Sequence, residues 1–168
     1  MIMTKKYAIT GHTLGIGKAL YDYYLPNAVG FSRSNGYDIS KDIQKIINDA
    51  KHCDVFINNA QQGFYQTDLL YELSKKFKGK IINIGSMSKY WVTDYKKNYK
   101  YAVEKQALDS MNAQLFWQGI DTSILNVSYV DTGTEKNNDK ERIDVKYVVQ
   151  TVDWIINQPF KVKEMSIV

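Results

Sequence analysis

Short apolar runs alternate with amphipathic stretches along the whole chain. Lys6-Tyr7-Ala8-Ile9-Thr10 predicts a strand, and residues 17–25, from Gly17 to Leu25, predict a helix stopped by Pro26. Residues 28–33 predict a second strand, Ser34-Asn35-Gly36 a turn, and Tyr37-Asp38-Ile39-Ser40 a very short extended piece. Ile43, Ile46 and Ile47 stand at helical spacing within 42–50, ahead of an apolar strand over 54–60. Leu69, Leu70, Leu73 and Phe77 mark one side of a helix over 67–77, and Lys80-Ile81-Ile82-Asn83-Ile84-Gly85-Ser86 reads as the next strand. A long helix over 99–118 ends at Gly119. A strand around 122–127, a helix over 145–157 before Pro159, and a last strand over 164–168 complete the series.

Strands alternating with helices predict a parallel sheet covered on both faces, and β runs without polar alternation suit strands buried on both sides. The expected fold class is α/β: a single doubly wound Rossmann-type domain over residues 1–168, with about six or seven strands. Ligands of such sheets bind beyond the carboxyl ends of the strands, where strand order reverses.

Composition narrows the partners. The 168 residues are 44% hydrophobic and 24% charged, a globular balance. A net charge of +4 carried on scattered lysines does not point to nucleic acid and at most favours anionic ligands. One cysteine, Cys53, excludes a disulfide framework, and His12 and His52 are too few for a metal cluster, so no metal site is expected. No run has signal-peptide or membrane-spanning length, so the expectation is a cytoplasmic protein with no membrane partner.

Candidate chemistry begins in the turn after the first strand, Thr10-Gly11-His12-Thr13-Leu14-Gly15-Ile16-Gly17. Glycines there let the backbone turn sharply and approach a ligand, and the new helix points unpaired amides and its positive end at that space, which favours phosphate. An ordinary βα turn using three glycines is the plainer alternative. Tyr101 and Lys105 stand one helical turn apart on one face, where an ammonium would lower the pKa of the phenol and suit it to proton transfer. With thirteen tyrosines in the chain, a chance Tyr-x-x-x-Lys is the alternative. Ser86 ends one strand and Asn58-Asn59-Ala60 another.

The ordered series T-G-x-x-x-G-x-G, Asn-Asn-Ala, strand-end Ser86 and Tyr101-x-x-x-Lys105 resembles the short-chain dehydrogenase/reductase family over essentially the whole chain. The resemblance implies Tyr101 as general acid/base, Lys105 tuning it and holding the nicotinamide ribose, and Ser86 orienting the substrate oxygen. It implies a dinucleotide on Thr10, Gly11, Thr13, Leu14, Gly15, Ile16 and Gly17, with Asn59, Ala60, Gln61 and Ile84 beside it. Val130 and Thr132 would meet the carboxamide, and Asp38 with Ile39 the adenine; alternatively Asp38 caps the next helix or holds the turn. Ser32-Arg33-Ser34 follows the second strand where an acid would mark NAD(H), so NADP(H) is the expected cofactor, with Arg33 on the 2′-phosphate. A merely solvated Arg33 is the alternative.

The departures from the family are specific. Arg33 and Asp38 are too close for the usual intervening helix, Gln61 replaces a glycine, Val127-Ser128 replaces Pro-Gly, and no asparagine lies between Asn59 and Asn83. Gln61, Gln62 or Gln66 could take the place of that asparagine; the alternative is that the proton-relay water is held otherwise. Tyr90, Trp91 and Tyr95 could wall a substrate or pack against a subunit, and 135–142 reads as a flap. Excess apolar surface on the long helix, at Val103, Leu108, Met111, Leu115, Phe116 and Trp117, predicts a homodimer or homotetramer through the helices at 67–77 and 101–118. The expected function is NADP(H)-dependent reduction or oxidation of a small carbonyl or alcohol. The alternative is a non-catalytic dinucleotide-binding or redox-sensing protein; a nucleotide-sugar epimerase would need a larger C-terminal region.

Overall fold

Six parallel strands make the central sheet of the computed structural model, which describes residues 5–93, 99–133 and 141–168. In chain order the elements are β1 (Tyr7–Thr10), α1 (Gly15–Tyr24), β2 (Ala28–Phe31), α2 (Ile43–Ala50), β3 (Val55–Asn58), α3 (Tyr65–Lys76), β4 (Lys80–Ser86), α4 (Lys100–Trp117), β5 (Thr122–Val127), β6 (Val130–Asp131), β7 (Ile143–Asp144), α5 (Val145–Asn157) and β8 (Glu164–Ile167). The sheet order is β2-β1-β3-β4-β5-β8, and β6 and β7 form a separate two-residue ladder that the hydrophobic pattern did not announce.

Successive strand side chains go to opposite faces, and here both faces are covered. Ala8, Phe56 and Ile81 meet α2, α3 and α4 through Ile46, Leu69, Leu73 and Leu108. Ile9, Ile57 and Ile82 meet α1 and α5 through Leu20, Val148, Val152 and Ile155. This two-sided burial explains the unbroken apolar runs. Of the predicted set, Leu69, Leu70 and Leu73 are buried on one face of α3, and Phe77 is buried just past its end.

Two local expectations fail for one physical reason: short polar side chains capture the backbone. Residues 37–40 are not extended, because Asp38 Oδ1 accepts from Ser40 N at 2.8 Å and from Ser40 Oγ at 2.7 Å, while Asp42 Oδ2 accepts from Asp38 N. β2 stops at Phe31 because Asn35 takes Ser32 N on its Oδ1 and donates its Nδ2 to Gly30 O, closing one 3-10 turn over Arg33–Asn35. That turn is all that lies between Arg33 and Asp38 in place of a helix. Tyr95 and residues 135–140 of the expected flap lie outside the described residues.

A polar thread runs through the apolar sheet. Asn58 donates to Asn83 Oδ1, and Asn83 Nδ2 reaches Asn112, Thr122 and the Ser123 carbonyl at 3.0–3.2 Å. Asn112 in turn donates to Lys163 O beside β8. Asn58, Asn83 and Thr122 are fully buried, so each bond stands where water cannot replace it. Asn83→Ala is expected to cost about 2–3 kcal/mol by stranding these partners, read as a lower midpoint in urea unfolding.

Candidate functional site

The strand order reverses at β1, since β2 pairs on one side of it and β3 on the other. At the carboxyl end of β1 the chain turns through Gly11 (φ +70°) and Gly15 (φ +58°), backbone that other residues rarely adopt. A Cβ on Gly17 would stand 2.1 Å from the Gly11 carbonyl oxygen, so the first turn of α1 sits directly on the glycine turn. Thr10 Oγ1 accepts the amides of Asn59 and Ala60, each at 3.0 Å, and joins this turn to the end of β3. Leu14, at the helix N-cap, supplies no side-chain cap. The N-cap position thus offers no carboxylate or hydroxyl of its own to the leading amides of α1.

Two cavities flank this helix start. The first, of about 450 Å³, has Gly11, Thr13 and Leu14 on one wall and Ser32, Arg33, Ser34, Asp38 and Ile39 on the other. Asn59, Ala60 and Gln61 close it. The second, of about 410 Å³, has Ile16, Val130 and Thr132 near the turn and Ser86 and Tyr101 deeper. Trp91, Tyr99, Tyr129 and Arg142 also line the second cavity. Most of the residues singled out from the sequence are thus gathered around one crevice. Thr10, Gly15, Gly17, Ile84 and Lys105 line neither cavity: Thr10, Gly15 and Gly17 shape the turn, and Ile84 contributes its carbonyl to Lys105. Asp38 holds its own turn through Ser40, the second of the roles considered for it.

Arg33 is solvent-exposed at the mouth of the first cavity, and the Ser32 and Ser34 hydroxyls pair beside it at 2.7 Å. The Asp38 carboxyl lies below its usual range, chiefly through the Ser40 hydroxyl and amide, with Lys41 and Arg33 adding to it. This cavity therefore holds both a guanidinium and a charged carboxylate.

The second cavity brings Ser86 and Tyr101 together in its lining. Lys105 Nζ stands 5.5 Å from the Tyr101 ring centroid. It donates to Gln66 Oε1 at 2.8 Å and to Ile84 O at 3.1 Å, and Gln66 donates onward to Asn58 O. Gln66 is fully buried on α3, so of the three glutamines considered it is the one that engages the lysine. The expected electrostatics are corrected. Lys105 is only 3% exposed, and burial pushes its ammonium down to about 7, against a smaller upward pull from Glu104. Tyr101 is raised, first by burial and then by Tyr99 and Glu104, with the Ser86 hydroxyl pulling the other way. Desolvation, which disfavours any charged form, outweighs the pairing inferred from the i,i+4 spacing.

The hydrophobic pattern gave no notice of three neighbours. Glu104, nearly buried, accepts from Gln61 Nε2 at 2.8 Å and ties α4 to the end of the first cavity. Ser88 bonds Ser86 from a 3-10 segment over Met87–Thr93. Lys89 is 3% exposed and ion-paired with Asp109 at 2.6 Å and with Glu164. The available signal was a polar Ser-Met-Ser-Lys run directly after an apolar strand.

Lys105 sets a pH dependence. Its folded-state value lies below its unfolded one, so between about 7 and the ordinary lysine value the unfolded chain binds the extra proton and stability rises with pH. Relative to Lys105→Met, the wild type is expected to gain up to about 1.4 kcal/mol per pH unit between pH 7 and 9 in urea unfolding. A gap independent of pH would refute the buried, neutralised lysine.

No protein-family model and no curated protein matches the sequence. Among solved structures, a small-chain dehydrogenase in complex with NADPH superposes with a TM-score of 0.77 at 15% identity, over 98% of this chain and 96% of that one. The NADPH-dependent 3-quinuclidinone reductase of Rhodotorula rubra gives 0.77 at 15% identity, over 97% and 89%. A short chain dehydrogenase of Burkholderia cenocepacia in complex with NADP gives 0.75 at 17%, over 97% and 87%. The Rossmann-type fold of the short-chain dehydrogenases is thus the fold of this chain, at full length.

Proposed function

We propose that this chain is a compact, divergent short-chain dehydrogenase/reductase, an NADP(H)-dependent oxidoreductase acting on a small carbonyl or alcohol. The observation that carries the reading is the pair of cavities on either side of the glycine turn, one beside Arg33 and the other ending at Ser86 and Tyr101. The positive-φ glycines and the uncapped start of α1 fit a pyrophosphate lying across the turn. Arg33, with the Ser32 and Ser34 hydroxyls, would take a 2′-phosphate. Val130 and Thr132 would border the nicotinamide and Asn59, Ala60 and Gln61 the adenosine half.

When bound, the nicotinamide supplies or accepts the hydride. The chain's own part is proton transfer and placement. Tyr101 passes its phenolic proton to the substrate oxygen, or receives one in the reverse direction, and Ser86 orients that oxygen. Lys105 acts from behind, its side chain oriented by Gln66 and Ile84 O. Trp91, Tyr99 and Tyr129 give the substrate an aromatic wall.

We also propose a homodimer or homotetramer. Leu108 and Leu115 of α4 are buried within the chain, but Val103 (49% exposed) and Trp117 (78%) are left on the surface. Among the described residues no helix is long and apolar enough to cross a membrane. A non-catalytic dinucleotide-binding or redox-sensing role is the second reading, and the observation favouring it is the withdrawal of Lys105 onto Gln66.

Two measurements test the reading. Arg33→Ala is expected to lower the NADPH/NADH affinity ratio about 10- to 100-fold by fluorescence titration, and an unchanged ratio refutes the NADP(H) preference. Across a panel of carbonyl compounds with NADPH, Tyr101→Phe is expected to cut turnover at least about 100-fold while cofactor binding persists. Tight binding of NADPH by the wild type with no turnover on any compound would favour the sensor.

A further inference from the structure

Arginine is scarce in this chain. Of its twenty-two basic residues only two, Arg33 and Arg142, carry a guanidinium. Each lines one of the two cavities beside the glycine turn, Arg33 the first and Arg142 the second. Among the described residues of the second cavity's wall there is no carboxylate, and Arg142 is the one cation amid hydroxyls, aromatic rings and apolar groups. A guanidinium is planar, stays charged near neutral pH and offers parallel N–H donors that match two oxygens of a carboxylate or phosphate. Lysine, far commoner in this chain, brings charge without that fork. We propose that Arg142 is a specificity-determining residue that binds an anionic oxygen group of the substrate, so that the compound reacting at Tyr101 is a small carbonyl or alcohol bearing a carboxylate or a phosphate. The identity of the reacting group rests on the oxidoreductase reading above; the anion site at Arg142 does not.

The backbone on either side of the cavity wall holds Arg142 in place. Ile143 N donates to Tyr129 O at 2.8 Å, and Ile143 pairs with Val130 in the β6–β7 ladder. Asp144 then accepts from Lys146 N and starts α5, whose apolar face is packed on the sheet. Residue 142 thus stands between Tyr129, which shares the cavity, and the start of a fixed helix. Its side chain is half-buried, so an anion meeting it gives up water where a charge-assisted hydrogen bond counts for more than at an open surface. The carboxylates of the ladder are engaged elsewhere, Asp144 with Lys146 at 3.0 Å and Asp131 with the Gly133 amide at 2.9 Å. Glu141 is exposed and lines a neighbouring cavity instead of this one. The rest of the wall suits the uncharged part of such a molecule. The Trp91 and Tyr99 ring centroids are 5.6 Å apart and those of Tyr99 and Tyr101 5.8 Å, an aromatic row that ends at the phenol. With about 410 Å³ to share with the nicotinamide, the substrate is small.

Trp91 supplies the readout. It lines this cavity, whereas the other two tryptophans, Trp117 and Trp154, are 78% and 45% exposed on α4 and α5. In a Trp117→Phe/Trp154→Phe protein, Trp91 fluorescence is titrated with phenylglyoxylate, benzoylphosphonate and the neutral phenylglyoxylamide, each with and without NADP⁺. The three probes share a ring and a carbonyl, and no hydride donor is present, so binding alone is read. At least one anion is expected to bind about tenfold or more tighter than the amide, and the tighter of the two decides between a carboxylate and a phosphate. Arg142→Gln is expected to bring that anion within about twofold of the amide and to leave the amide's own affinity in place. Arg142→Lys, which keeps the charge and loses the fork, is expected to keep only part of the preference, and it decides the point if Arg142→Gln does not fold. No tighter binding of either anion than of the amide, including no binding of all three, overturns the proposal, as does an anion preference that both Arg142 variants retain in full. An anion preference lost in Arg142→Gln, with no turnover of any compound with NADPH, leaves the anion site standing while the oxidoreductase reading falls. Turnover of neutral carbonyls with no anion preference does the reverse.

Discussion

The crevice depends on one fully buried hydroxyl. Thr10 Oγ1 receives the amides of Asn59 and Ala60, and Asn59 Nδ2 returns a bond to Thr10 O. These contacts fasten the loop after β1 to the loop after β3, the two neighbours between which the strand order reverses. Gly17 then lets α1 settle against the Gly11 carbonyl, at a distance no side chain would permit. Loosening this junction would move the helix start, and with it the wall shared by both cavities.

Behind that wall the competition is between burial and charge. Lys105 enters the interior as an ammonium would not, held by two neutral oxygens from Gln66 and Ile84, so its charge is suppressed. Lys89, equally buried, is instead met by two carboxylates and is held above the ordinary lysine range even though burial opposes it. Two lysines with the same surface exposure thus shift in opposite directions: Lys105 lies deeper and meets neutral oxygens, whereas Lys89 meets two carboxylates. One lies behind the Tyr101 ring, the other anchors the segment that carries Ser88.

The element series was legible because its cause is local. Apolar residues on two sides of each strand and on one stripe of each helix leave a periodic record in the sequence, and β4 and α5 have the predicted bounds. The glycine turn, Asn59, Ser86 and Tyr101 were legible for the same reason: each sits at the end or on the face of an element whose position the pattern marks. Residues 32–42 were less legible, since Asn35, Asp38 and Asp42 bond backbone a few residues away and no periodicity records such bonds.

What the sequence determined alone was a doubly wound α/β chain with a glycine turn at its first crossover and a serine, a tyrosine and a lysine in order downstream. Local pattern and spacing suffice for that. Tertiary structure decided the protonation balance of Tyr101 and Lys105, the engagement of Lys105 by Gln66, and the hold of Ser88 on Ser86. Each of these depends on which groups from distant segments share a water-free space, and spacing along a chain carries no measure of desolvation.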